Sequence, residues 1–201
     1  MRELVYFIGV SIDGMIAGPG GETGFHPLAP DMVAHVRAEY PETMPAHIRP
    51  LIGMAADTPN KRYDTVIMGR ATYSVGLTEG ITDPYPHLRQ YVVSRSLTEA
   101  DPAVTLVPGD PLGLVRQLKA EDGMDIWLCG GADLAGQLLP EIDELVVKSY
   151  PVVAGGGTPM FTGGFGPREF TPTEALTFGH GGTITTYRPR VAARIPSDAS
   201  R

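Results

Sequence analysis

The sequence predicts an α/β protein of three layers: a mixed, mostly parallel sheet with helices on both faces and an antiparallel hairpin at its C-terminal end. Three observations point there. Short apolar runs alternate along the chain with stretches of helical period, the pattern of strand–helix–strand units. The first run, Leu4–Ser11 (LVYFIGVS), is almost continuously apolar and rich in β-branched and aromatic residues, as a strand covered on both faces requires. Near the end, residues 176–178 and 183–188 flank the turn-forming His180-Gly181-Gly182, a hairpin signal.

The elements follow in order. Asp13-Gly14 turns the chain after the first strand, and Met15-Ile16-Ala17 resumes an extended path that Gly18-Pro19-Gly20-Gly21 breaks. Residues 25–61 carry Pro27, Pro30, Pro41, Pro45, Pro50 and Pro59, which rule out one long helix but allow short ones over residues 32–40 and 46–55. Strands are expected at 65–68 (TVIM), 90–93 (QYVV) and Val104–Val107. Residues 111–121 place Leu112, Val115 and Leu118 on one helical face behind Pro111. The stretch 126–139 (IWLCGGADLAGQLL) changes period at Gly130-Gly131, giving a strand, a tight turn and a helix start, with Trp127 and Leu128 in the core beside Tyr6. Glu144–Tyr150 is a further strand, and the glycine-rich 155–159 loop either closes over substrate or merely connects strands. No repeat or linker divides the chain, so residues 1–189 are read as one domain and 190–201 as a loose tail.

A chain of 201 residues with 42% hydrophobic and 19% charged residues can bury one ordinary core. With 16 Lys and Arg against 23 Asp and Glu the net charge is −7, and such a surface repels phosphate backbones, which excludes general nucleic-acid binding. Residues 1–14 show no secretory-signal pattern and no stretch approaches a membrane span, so a cytoplasmic protein is expected. The single Cys129 excludes an internal disulfide, and His26, His35, His47, His87 and His180 are scattered, so no metal site is expected. The dinucleotide fingerprint, the P-loop and the Gly-x-Ser-x-Gly elbow are all absent. A bound cofactor is then the simplest source of chemistry.

Ligands of open α/β sheets bind at the carboxyl ends of strands, and three strand ends here suit phosphate. Gly69-Arg70-Ala71-Thr72 opens a helix with backbone N–H groups, a hydroxyl and a guanidinium fork. Ser94-Arg95-Ser96 concentrates a guanidinium and two hydroxyls, the groups that a ribose 2′-phosphate needs and that favour NADP over NAD. Gly130-Gly131 lets a ligand approach a third set of N–H groups without a Cβ in the way. Each also reads as an ordinary polar turn; their coincidence in one acidic chain is what points to a nucleotide.

Five segments then occur in a telling order: Ser11-Ile12-Asp13-Gly14-Met15-Ile16-Ala17, Val66-Ile67-Met68-Gly69-Arg70-Ala71-Thr72-Tyr73, Ser94-Arg95-Ser96, Gly130-Gly131-Ala132, and Pro151 with Gly155-Gly156-Gly157-Thr158-Pro159-Met160-Phe161. Over roughly residues 3–188 the chain resembles the dihydrofolate reductase-like superfamily, nearest the reductase domain of the bifunctional riboflavin-biosynthesis deaminase-reductases. The resemblance implies that fold, NADPH as cofactor, and hydride transfer to a C=N or C=O bond of a small heterocyclic or carbonyl substrate, in the manner of 5-amino-6-(5-phosphoribosylamino)uracil reductases. It implies Ile16 and Ala17 at the nicotinamide, Gly69, Arg70 and Thr72 on the phosphates, and Ser94, Arg95 and Ser96 around the 2′-phosphate. Gly130, Gly131, Ala132 and Asp133 would line the pyrophosphate and nicotinamide, and a homodimer would form on the terminal strands.

Two positions depart from that branch. It carries Lys where this chain has Met15, in a run like L-D-G-K-I-A, and Glu where this chain has Cys129. Both lie on the substrate side, and their loss removes polar recognition of a ribityl-phosphate pyrimidine. Asp31, after Pro30, is the nearest counterpart of the first-helix acid of folate reductases. Asp13 is the leading candidate for the catalytic proton donor, against its reading as an Asp-Gly turn, with Asp31 and His26 behind it. The alternative function is an NADP(H)-binding module without catalysis. The expected partners are a small-molecule substrate and a second copy of the chain, with no nucleic acid and no membrane.

Overall fold

Alternation along β1 (Leu4–Ser11) sets the layering: Leu4 and Tyr6 are buried on one face, Val5 and Phe7 on the other. The computed structural model describes residues 1–190. The chain continues through β2 (Met15–Ala17), α1 (Pro30–Glu39), β3 (Tyr63–Gly69), α2 (Arg70–Thr78), β4 (Arg89–Val93), β5 (Val104–Val107) and α3 (Pro111–Ala120). It then forms β6 (Asp125–Gly130), α4 (Ala132–Leu138), β7 (Glu144–Tyr150), β8 (Thr158–Pro159), β9 (Phe170–Thr177) and β10 (Thr183–Pro189). The main sheet has eight strands in the order β5-β4-β3-β6-β1-β7-β10-β9. Pairings from β5 to β7 are parallel, whereas β10 runs antiparallel to both β7 and β9. A separate two-stranded ribbon joins β2 to β8.

Helices cover both faces. Met32 and Val36 of α1 and Tyr73 of α2 pack with Val5, Phe7, Val66 and Trp127. Val115 and Leu118 of α3 and Leu134, Ala135 and Leu138 of α4 pack with Leu4, Tyr6, Ile67 and Leu128. This is the mixed, mostly parallel arrangement expected, closed by an antiparallel hairpin. No helix among the described residues is long and apolar enough to cross a membrane.

Three details differ from expectation. The helix expected over 46–55 is one 3-10 turn, Arg49–Ile52, stopped by Gly53 at φ +67°. Pro50, inside that segment, lacks the N–H a longer helix needs. Buried Arg49 secures it instead, donating to the carbonyls of Met44 (3.2 Å), Ala56 (3.0 Å) and Pro41 (3.3 Å). The first strand of the closing hairpin begins at Phe170, well before residue 176, because β10 offers a long partner to a segment with no apolar face of its own. Of the expected tail, residues 191–201 lie outside the described residues; Arg190 is still anchored, its N–H donating to the Glu169 carbonyl at 2.9 Å.

Two buried carboxylates tie the layers together. Glu144 meets Arg62 and Arg188, each at 2.8 Å, and Arg188 also grips Glu3, joining the terminal hairpin to the start of the chain. Glu42, wholly buried, accepts the N–H groups of Lys61 (3.2 Å), Arg62 (2.8 Å) and Tyr63 (2.7 Å) and so fixes the entry into β3. Replacing Glu42 by Leu strands these donors and is expected to lower the unfolding free energy by about 3 kcal/mol. Urea unfolding measures it; an unchanged midpoint would show that water substitutes for the carboxylate.

Candidate functional site

A cleft of about 870 Å³ opens at the carboxyl ends of β3, β4, β5 and β6. Four strand exits form its wall: Gly69-Arg70-Ala71, Val93 to Ser96, Pro108 to Pro111, and Gly131 to Leu134. Two of these exits touch. A Cβ on Gly69 would stand 3.4 Å from the Gly131 nitrogen, in ordinary contact, so the turns into α2 and α4 lie side by side. Thr72 looks onto the same place, its Oγ1 3.6 Å from where a Gly131 Cβ would lie. Arg70 and Arg95 are exposed, and neither forms an ion pair among the described residues.

Eight of the residues singled out in the sequence therefore line one cleft: Gly69, Arg70, Ser94, Arg95, Ser96, Gly131, Ala132 and Asp133. Their chemistry differs in detail from expectation. The Ser94 hydroxyl accepts the N–H groups of Ser96 (3.2 Å) and Leu97 (2.9 Å), so it shapes the turn that presents Arg95. The two acids in the wall are engaged as well: Asp133 accepts from Gln137 at 2.7 Å, and Asp110 caps α3 through Gly113 at 2.9 Å. Ile16 and Ala17 do not line the cleft; they lie in the ribbon beside it, where Ala17 pairs with Thr158, a lining residue. A Cβ on Gly157 would come within 2.1 Å of the Ala17 carbonyl oxygen, so this ribbon also closes around a glycine.

The substrate-side candidates do not gather in this cleft. Met15 pairs with Pro159 in the ribbon. Cys129 sits one residue before Gly130 and faces α1, beside buried Tyr85; burial pushes its thiol up to about 12. Asp31, in the first turn of α1, accepts the N–H of Gly179 (2.7 Å) at the β9–β10 turn, and this bond holds its carboxyl below the usual range. Exposed and engaged, Asp31 clamps the hairpin turn.

Asp13 also departs from expectation. Its carboxylate accepts the Ser11 hydroxyl (2.6 Å) and the N–H groups of Ala154 (2.9 Å) and Gly155 (2.8 Å). The Ser11 bond first, and then the two amides, hold its carboxyl down at about 2. Such a group stays ionised through the neutral range and has no proton to give. Its position at the end of β1 suits a latch on the loop that leads into β8.

The described fold is that of a dihydrofolate reductase-like α/β protein. A putative riboflavin biosynthesis protein from Shewanella sp. PV-4 aligns with a TM-score of 0.69 at 24% identity, covering 95% of this chain and 100% of that one. Dihydrofolate reductase from Enterococcus faecalis, complexed with NADP(H) and RAB-propyl, aligns with a TM-score of 0.64 at 14% identity over 94% and 97%. The diaminohydroxyphosphoribosylaminopyrimidine deaminase/5-amino-6-(5-phosphoribosylamino)uracil reductase of Thermotoga maritima gives 0.62 at 14% identity, covering 94% of this chain and 57% of that one. More particularly, the profile of the RibD C-terminal domain matches residues 2–184, and the chain belongs to that family. Among curated proteins of Bacillus subtilis (strain 168), YwjB is 30% identical over 163 residues, 80% of this chain and 83% of its own length. YyaP is 27% identical over 173 residues, 80% of each, and both are described as uncharacterized. Family and fold are of the reductase kind.

Sequence reasoning passed over the exit from β5. Pro108-Gly109-Asp110-Pro111 lines the cleft, and its cluster of turn formers after an apolar run was the same signal used at the other strand ends. The Asp13 latch is directly testable. Its depressed folded value means that the contribution is present above the ordinary carboxylate value and is lost as pH falls from about 4 towards 2. Asp13→Ala should speed amide exchange at Ala154 and Gly155 at neutral pH, where wild type stays protected. Equal exchange in both proteins would sink the latch.

Proposed function

We propose that the chain is an NADPH-dependent reductase that adds hydride to a C=N or C=O bond of a small heterocyclic or carbonyl substrate. The observation that carries this reading is the cleft at the ends of β3 to β6, where two guanidinium groups without ion-pair partners among the described residues line the same wall as a pair of glycine turns. Its volume of about 870 Å³ lies within the range of cofactor sites. The likeness to a dihydrofolate reductase solved with NADP(H) supports the choice of cofactor.

On this reading the first-turn N–H groups of α2, with Arg70 and Thr72, hold phosphate oxygens. Gly69 and Gly131 keep that cradle open, because a Cβ on either would narrow it. Arg95, presented by the Ser94 turn, takes the 2′-phosphate through its planar fork. The ribbon of β2 and β8 borders the reacting end through Ile16, Ala17 and Thr158 and keeps water from it. Bound there, NADPH supplies a hydride that, with one proton, saturates the acceptor bond. The two departures at Met15 and Cys129 remove a cation and a carboxylate from the substrate side, so a substrate other than the ribityl-phosphate pyrimidine is expected.

The test is thermal unfolding with NADPH and NADH at matched concentrations. A ligand at about 100 times its dissociation constant stabilises the fold by about 2.7 kcal/mol. NADPH should shift the transition clearly and NADH less. Arg95→Ala should weaken NADPH by about 10- to 100-fold, as loss of charge-assisted hydrogen bonds implies, and NADH by far less. No shift with either nucleotide overturns the cofactor assignment, and equal losses for both overturn the role of Arg95.

A further inference from the structure

Lys148 is out of place in β7. It stands in an apolar strand, ELVVKSY, in register with Gly9 of β1, on the face that carries Val146 and Tyr150 and is covered by α1. Of the chain's three lysines, Lys61 meets Glu39 and Lys119 meets Glu141 and Asp143. Lys148 has neither an ion pair nor a hydrogen-bond acceptor among the described residues; its amine lies 4.3 Å from the centre of the Phe7 ring. Gly9 leaves the space beside it free, since a Cβ there would meet Tyr150 at 3.0 Å and the Lys148 Cε at 3.8 Å.

Phe7, Tyr150, Cys129 and His26 border the Lys148 side chain and form a recess around it, within which it stays partly exposed. Protein crowds the amine enough to push it down to about 8, yet the side chain is only half-buried. Cys129 faces it from β6, also half-buried, and leads directly into the Gly130-Gly131 turn of the nucleotide cleft. His26 closes another side, its ring 4.8 Å from that of Tyr150 and its Nε2 buried without a hydrogen-bond partner among the described residues. Burial, with a smaller contribution from the Lys148 charge, holds the His26 imidazole below its ordinary value. A cation without a partner, an unsatisfied imidazole nitrogen and aromatic walls from Phe7 and Tyr150 make a site for a flat anion.

We propose that this recess is the acceptor site, and that it takes a flat unsaturated ring bearing a carboxylate or comparable anionic oxygen, with Lys148 as its ion partner. The assignment rests on the reductase reading for the purpose of the site and on the side chains of the recess for its selectivity. Lys148 then restores from β7 the cation that Met15 lacks, and Cys129 leaves its amine free where a glutamate would neutralise it.

The probes are orotate, a flat pyrimidine carboxylate, and uncharged uracil, titrated calorimetrically into the full chain without nucleotide. Wild type is expected to bind orotate at least tenfold more tightly than uracil. Lys148→Met should abolish that preference while keeping the thermal shift with NADPH, which reports the other cleft. Cys129→Glu places a carboxylate beside the amine and should abolish the preference as well; it carries the test if the methionine variant fails to fold. Equal binding of the two probes by wild type, or an orotate affinity unchanged in both variants, overturns the proposal. If the NADPH shift stands while wild type shows no preference, the recess assignment alone has failed. A Lys148-dependent preference for orotate with no response to NADPH upholds the anion site and defeats the reductase reading.

Discussion

The close approach of two strand-to-helix turns governs this molecule. β3 and β6 lie side by side and parallel, yet the helices leaving them go to opposite faces: α2 joins α1, and α4 joins α3. A sheet whose connections diverge in this way must open a crevice between the diverging chains, at the carboxyl ends of the strands. Gly69 and Gly131 bring the two turns side by side across it, close enough that a Cβ on Gly69 would touch the Gly131 nitrogen at 3.4 Å. This meeting places Arg70 on one turn and Asp133 on the other along the cleft wall.

Much of the fold was legible because burial on both faces leaves a coarse mark. β1, β5 and β7 match the apolar runs read from the sequence, residue for residue. The strand ends were legible for a different reason, since glycine and arginine after an apolar run are chemically conspicuous. What stayed hidden had no local mark. The first half of β9 (FTPTEA) is polar and mostly exposed, and it is a strand because β10 supplies hydrogen-bond partners. The helix expected over 46–55 was lost to Pro50 and to Arg49, whose carbonyl partners span Pro41 to Ala56.

The acids show the same limit more sharply. Asp13 and Asp31 were singled out because an acid beside a strand or helix end is a plausible proton donor, and both turn out to be occupied. Each binds backbone N–H groups of a segment more than 100 residues away: Ala154 and Gly155 for Asp13, Gly179 for Asp31. Sequence shows that a carboxylate is present but not which distant amides it will meet. Conversely, Lys148 was read simply as part of a strand, though a lone charge within ELVVKSY was a visible anomaly. A charged residue in a doubly covered strand needs a partner, and the fold supplies none among the described residues.

Cys129 has a practical consequence for work on this chain. Its thiol, pushed up by burial, is the sole cysteine, and the thiolate form is disfavoured at neutral pH. Maleimides and iodoacetamides react through the thiolate, so Cys129 is expected to label more slowly than an exposed cysteine. One cysteine introduced on the exposed tip of the loop before β8 would take a fluorophore or spin label first, and the ribbon's distance from the rest of the fold could be followed without first removing the native residue.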